Sequence, residues 1–421
     1  MANTKKKGIF YGWYIVAAGF FLLGFGICIV MNCAGLFIKP VTEDLGFTRK
    51  AFAMNNTLIS LAMMAVSFSM GTILEHIDIK KVMCAASVGL PVFYFLYSRA
   101  HSIAMFYLLS LGVGAFLGLI GFVPVSILIT TWFNEKRGLA TGIAFTGSGV
   151  FGFLLSPLIS RLIQTMGWRT TYAVLGIAML AVMAPITFLV IRSRPKSMGL
   201  EPYGRSAAPD GNEWAHGLSF KEALRTVSFW SFALVVILCC MMACSYIQQI
   251  SAYTSDLGYS ASFAATMNSL VLGIMAVGKI VLGQLYDKKG TFFASLLGNF
   301  CLIGALLCLL FADSMPILLL SVAFSGLGLS FCSVPYPIVT RRLFGGRDYN
   351  KIYGVINAAS SVGTAIGSPV AATFYDVTGS YKLFWLAGLC VVSACLALYV
   401  LAEKKAPSLS STGPAPQKET V

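Results

Sequence analysis

MNSLVLGIMAVGKIVLGQLYDKKG, Met267 to Gly290, is an apolar helix with one strong charge, Lys279, inside it. It ends in a glycine-and-charge turn, Gly283-x-x-x-Asp287-Lys288-Lys289-Gly290. No other Lys or Arg lies well inside an apolar run of this chain. A charge at such a depth costs roughly 3 kcal/mol and calls for a functional or structural reason. A bound anion is one reason. Snorkelling is another: Asp287 lies eight residues on, about 12 Å along the helix, and a lysine stem spans part of that. Asn268 sits eleven residues before Lys279, three turns away on the same face, as expected of a face that lines a polar path.

The whole chain repeats this apolar character. Of 421 residues, 57% are hydrophobic and 11% charged, against about 25% charged in a soluble domain. The chain is therefore an integral membrane protein. Its net charge of +14 does not indicate nucleic acid, because the cations sit in short loops between apolar runs, as topology selection requires. The 11 cysteines show no CxxC or zinc spacing and read as small packing residues. His76, His101 and His216 are far apart and no Asp or Glu lies in mid-span, so no metal site, catalytic residue or cofactor site is expected. Gly147-Ser148-Gly149-Val150-Phe151-Gly152 fits GxGxxG, but inside an apolar helix with no preceding strand it is not a nucleotide site.

A span needs about 20 mostly apolar residues. Twelve are expected, near 12–37, 52–74, 82–98, 103–130, 139–163, 168–191, 229–254, 262–286, 291–312, 315–340, 351–375 and 380–402. The first follows Lys5, Lys6 and Lys7 and is too long for a signal-peptide core. The organisation predicted is a six-helix half (1–192), a polar linker (193–228) with a short surface helix from Ser219 to Val227, a second six-helix half (229–402), and a disordered tail (403–421). Counting Lys and Arg puts 22 of the 30 on one side and 7 on the other, with Lys279 in the membrane. That asymmetry places both termini and the linker in the cytoplasm. Sliding the chain along itself reveals a repeat: Asp44-Leu45-Gly46-Phe47 falls on Asp256-Leu257-Gly258-Tyr259. The same shift lays Gly71 on Gly283, Glu75 on Asp287, Gly114 on Gly326, Gly142 on Gly354, Pro157 on Pro369 and Gly167 on Gly379. Two halves of like topology follow, with a site expected between them near the bilayer midplane.

Gly71-Thr-Ile-Leu-Glu75-His-Ile-Asp78-Ile-Lys80-Lys81 and Gly283-Gln-Leu-Tyr-Asp287-Lys288-Lys289-Gly290 resemble the loop-2/3 and loop-8/9 signature of the major facilitator superfamily. The first copy departs from it, with Glu75 for the usual Asp and Asp78 for the usual Gly. WFNEKRGLATGIA, from Trp132 to Ala144 and on through Gly147 and Gly152 to Pro157, resembles the oxalate/formate antiporter and bacterial monocarboxylate transporter branch. So does SFKEALRTVSFW, Ser219 to Trp230. That branch associates a basic residue of the eighth span and a lysine of the eleventh with carboxylate binding. Lys279 takes the first place and Ser360 stands in the second. One intramembrane cation in place of two suits a monoanion. Spans 1, 4, 7 and 10 usually line the cavity in this superfamily, which favours Asn32, Gln248 and Tyr336. Asn357, on the same span as Ser360, is a further candidate.

The expectation is an all-α membrane protein of twelve transmembrane helices in two pseudo-symmetric six-helix halves. It would act as a monomer in a bacterial inner membrane and carry a small organic anion by alternating access. The anion would be exchanged for a counter-anion or carried with a proton. Lys279, Asn268, Asn32, Gln248, Tyr336, Asn357 and Ser360 are the candidate substrate contacts. Glu75, Asp287, Lys288 and Arg137 are the candidate gating residues. Efflux of apolar compounds, or a sensor that binds a carboxylate without moving it, are the alternatives.

Overall fold

The computed structural model describes residues 10–47, 49–204, 217–312 and 314–405. The middle of the linker, the lysines at 5–7 and the tail from 406 lie outside the described residues. Among those described, eleven helices are long and apolar enough to cross a membrane. One of them, Arg137–Val190, has 54 residues. At 1.5 Å per residue it would be about 80 Å long, more than twice a hydrocarbon core, so it must be two spans. It turns at Gly167 (φ 76°, ψ 162°), a conformation open essentially to glycine alone. The twelve spans are α1 (Gly12–Asn32), α2 (Met54–His76), α3 (Ile79–Arg99), α4 (Ile103–Trp132), α5 (137–166) and α6 (168–190). The second set is α7 (Val227–Ile250), α8 (Thr266–Lys289), α9 (Thr291–Leu310), α10 (Met315–Phe344), α11 (Tyr349–Tyr375) and α12 (Lys382–Lys404).

The constant offset between the halves recurs in three dimensions. Gly167 and Gly379, one shift apart, both have positive φ. Helical geometry breaks at Gly121 within α4, and α10 breaks over 331–334, around the position equivalent to Gly121. The halves meet along α5 against α8 and α2 against α11. The helix Pro335–Phe344 carries α10 beyond the expected end at 340, so Arg341 and Arg342 are helical and not loop residues.

Twelve spans return the chain to the face from which it started. On this terminal face the described ends of the linker are pinned at equivalent corners. Tyr203 donates its N–H to Trp132 O at 2.9 Å, and Leu218 donates its N–H to Phe344 O at 2.9 Å. The linker helix is shorter than the expected 219–227 and runs Phe220–Leu224. Ser219 and Glu222 form a reciprocal capping box at its start, and those contacts, the Ser219 backbone first, hold the Glu222 carboxyl below its usual range. It stops early because Thr226 already starts α7: its Oγ1 accepts the Phe229 N–H at 3.2 Å.

Candidate functional site

The α5–α8 contact is built on small residues. Gly138, Gly142 and Gly149 of α5 face Gly283, Lys279, Ala276 and Leu272 of α8 in antiparallel order. A Cβ at Gly138 would collide with Gly283 O, and one at Gly142 would lie 2.5 Å from Lys279 O. Backbones that approach so closely can exchange polar contacts, and Thr146 Oγ1 donates both to Gly142 O (2.7 Å) and across the interface to Ala276 O (3.1 Å).

Lys279 sits in this seam and is 3% exposed. Its Nζ donates to Phe145 O at 3.1 Å and to Ser148 Oγ at 3.0 Å. Both acceptors lie farther along α5 from the terminal face than Gly142, which packs on the Lys279 backbone. The amine therefore points away from Asp287, and the snorkelling explanation does not describe this side chain. Among the described residues no Asp or Glu lies within ion-pair reach of it. An ammonium has three donors, and two meet neutral acceptors. Asn32 joins the cluster from α1, donating Nδ2 to Ser148 O at 3.1 Å from an exposed position.

The other half mirrors this arrangement with different chemistry. The same offset lays Lys279 on Ser67, Phe145 on Asn357 and Ser148 on Ser360. Asn357 Nδ2 donates to Ser67 Oγ at 3.0 Å across the α2–α11 seam, so a neutral amide–hydroxyl pair stands where the lysine cluster stands opposite. Ser360 Oγ turns back to Asn357 O at 2.7 Å.

The remaining candidates lie apart from this cluster. Tyr336 is buried inside its own half, its hydroxyl 3.2 Å from Cys240 Sγ, where it ties α10 to α7. Gln248 is exposed on α7 and donates to Cys244 Sγ one turn back at 3.2 Å. Asn268 is about 16 Å along α8 from Lys279, with a buried Oδ1 that has no hydrogen-bond partner among the described residues. Ser148 was missed by sequence reasoning, as were Ser67 and Thr146. Ser148 lay in plain view inside the discarded GxGxxG match.

Nearer the terminal face, Asp287 closes the seam. The α5 helix begins after Lys136, which adopts φ 58° and offers no side-chain cap. The cap comes from the other half: Asp287 Oδ1 accepts the Gly138 N–H and Oδ2 the Leu139 N–H, both at 2.8 Å. A carboxylate there satisfies two orphan donors and opposes the positive end of the helix dipole. Arg137 holds the loop behind it, with Nε 2.6 Å from Phe133 O and Nη2 3.3 Å from Asn134 Oδ1. At the equivalent corner Glu75 pairs with Lys351 Nζ at 2.5 Å. Those side chains are 50% and 31% exposed, so the pair contributes roughly 0.2–1 kcal/mol. The two capped amides outweigh it at about 1–2 kcal/mol. Asp287→Ala is accordingly expected to speed hydrogen exchange of the Gly138 and Leu139 amides about five- to thirty-fold. Asp287→Asn, which keeps one acceptor oxygen, should fall between. Unchanged exchange in both variants would show that the cap does not hold this face.

The geometry defines a polytopic helical bundle: two similar halves, a seam of close-packed glycines, and a buried lysine in that seam. Sequence comparison agrees. The profile of the Major Facilitator Superfamily matches residues 20–313 and 294–420, and the chain belongs to that superfamily. It is a membrane transporter and not an enzyme. Among similar proteins is "Monocarboxylate transporter 12" of Mus musculus, 26% identical over 92% of this chain and 85% of its own. "Monocarboxylate transporter 2" of Homo sapiens is 24% identical, over 93% and 85%. The crystal structure of the Major Facilitator Superfamily transporter FucP in the outward conformation aligns with a TM-score of 0.67 at 15% identity, covering 94% of this chain and 98% of that one. At that identity the match speaks for the fold alone.

Proposed function

We propose that this transporter exchanges small monocarboxylates across the membrane by alternating access, with Lys279 as the anchor for the carboxylate. The observation that carries this is a buried ammonium at the junction of the halves, held among the described residues by neutral acceptors alone. An uncompensated buried charge is costly, and a bound anion is the partner that relieves it. The names of the monocarboxylate transporter relatives support the same substrate class.

In this reading the terminal face is cytoplasmic and is held closed by the Asp287 cap and the α5–α8 glycine seam, and the opposite face is open. Halves at 1–192 and 229–402 rock about the 193–228 linker. A carboxylate arriving beside Asn32 competes with Ser148 Oγ and Phe145 O for the amine of Lys279. Once the amine turns to the substrate, the α5–α8 seam loses two contacts and can part. An empty carrier would have to part it with the charge unpaired, which favours exchange over net movement.

Counterflow in proteoliposomes tests this. Labelled monocarboxylate should accumulate in vesicles preloaded with unlabelled monocarboxylate and not in empty ones. Equal entry into empty vesicles would overturn exchange. Entry of no carboxylate under any preload would overturn the anion reading.

A further inference from the structure

Below the Lys279 seam, the terminal face holds a cavity of about 940 Å³ between the ends of α4 and α5 and those of α8, α9 and α10. Its lining includes Lys136 and Arg137 from one half and Lys288, Arg341 and Arg342 from the other. Against these five cations stand Glu135 and Asp287 in the lining and Glu403 behind it, which pairs with Arg342 at 3.7 Å; both oxygens of Asp287 are engaged by the α5 amides.

Topology selection accounts for exposed cations on this face but not for Arg341. It is only 9% exposed, on a helix, with its guanidinium carbon 5.7 Å from the centre of the Tyr349 ring. The internal symmetry supplies a control. The shift that relates the halves replaces Lys136, Arg137, Lys288, Arg341 and Arg342 by Asp348, Tyr349, His76, Ile129 and Thr130. The cations gained are Arg347 at the position of Glu135, Lys351 at that of Leu139 and Arg342 at that of Thr130. The fold therefore does not need cations at these positions. The equivalent corner is also covered by the linker helix, whose Phe220 N–H donates to Asp348 Oδ2 at 2.7 Å. The vestibule therefore carries five lining cations against three at its twin, where Lys351 is already paired with Glu75.

We propose that this vestibule is a binding site for a multivalent phosphate-bearing anion, which bridges the two halves and holds the terminal face closed. The cavity is several times larger than a small carboxylate needs, and its charge calls for an anion of more than one charge. Arginine forks match phosphate oxygens in pairs, and lysines add point charges at the rim. The cations come from opposite halves and repel one another across the closing seam. A polyanion between them turns that repulsion into attraction. The site does not depend on which substrate Lys279 carries.

The test uses the purified full-length protein with inorganic tripolyphosphate as the probe, against chloride at matched ionic strength. Tripolyphosphate should raise the melting temperature saturably and slow exchange of the Gly138 and Leu139 amides several-fold. Lys136 and Lys288 are exposed, so the Lys136→Gln/Lys288→Gln double variant should fold and bind at least tenfold more weakly. A parallel arm reads the same amides in neutral-lipid vesicles with and without anionic phospholipid. Protection by the phospholipid alone identifies a headgroup as the phosphate source, and protection by tripolyphosphate a soluble one. An equal response to chloride, or an unchanged response in the double variant, overturns the site. Stabilisation without slower exchange at 138–139 overturns its role in closure.

Discussion

Lys279→Gln is expected to reduce carboxylate counterflow roughly ten- to a hundredfold while the protein still folds and inserts. Glutamine keeps a donor that can reach Ser148 Oγ or Phe145 O, so the α5–α8 seam retains a polar contact. What it removes is the charge. A hydrogen bond to a charged group contributes roughly 1.5–3 kcal/mol, and each 1.4 kcal/mol is tenfold in affinity. Ser148→Ala separates anchoring from packing. It removes one of the two acceptors that compete with substrate for the amine, so the KM for the carboxylate should fall several-fold. A Ser148 that merely packed the seam would lower the melting temperature and leave KM unchanged. Counterflow by Lys279→Gln at the wild-type rate would take Lys279 out of the mechanism.

The spans were readable because sustained hydrophobicity over the width of a bilayer is a one-dimensional signal, and even the pair that runs on through Gly167 as one helix was separated in the sequence, at 139–163 and 168–191. The pseudo-symmetry was equally plain, since glycines and loop carboxylates recur at one offset. What that offset does not reveal is which face of each helix meets which neighbour. It lays Lys279 on Ser67 and Ser360 on Ser148, so the residues that complete the site could have been listed as equivalents. Their roles could not, because an amine reaching across a seam has no local pattern. Tyr336 shows the converse: its span usually lines the cavity, yet its hydroxyl turns to Cys240 within its own half. The trans cap by Asp287 is invisible for a similar reason, since its partners are backbone N–H groups in the other half of the chain. The one local hint was negative: α5 starts after Lys136, without Ser, Thr, Asp or Asn at its N-cap. Arg341 was hidden by its sequence context, because counting it as a loop cation explained it before its burial was known.

Gly283→Val should abolish exchange by denying the transporter its closed terminal face. A Cβ at 283 would collide with Gly138 O, a backbone atom of the opposing helix that has no rotamer to turn aside. Gly138 stands in the same relation to Gly283 O, so the two helices have no slack at this crossing. Relief requires α5 and α8 to separate, and the Asp287 cap one turn away loses its 2.8 Å contacts as they do. Overpacking of this kind costs about 1–3 kcal/mol, and the lost cap adds about 1–2 kcal/mol. Together they shift the equilibrium toward the open terminal face by roughly a hundredfold or more. Gly273→Ala is the matched control on the same helix, since its Cβ would meet only Phe153 Cδ2, at 3.9 Å. It should exchange at the wild-type rate with wild-type protection of the Gly138 and Leu139 amides. Gly283→Val should lose both, and a valine variant that kept fast counterflow with protected amides would mean that closure of this face does not run through the α5–α8 seam.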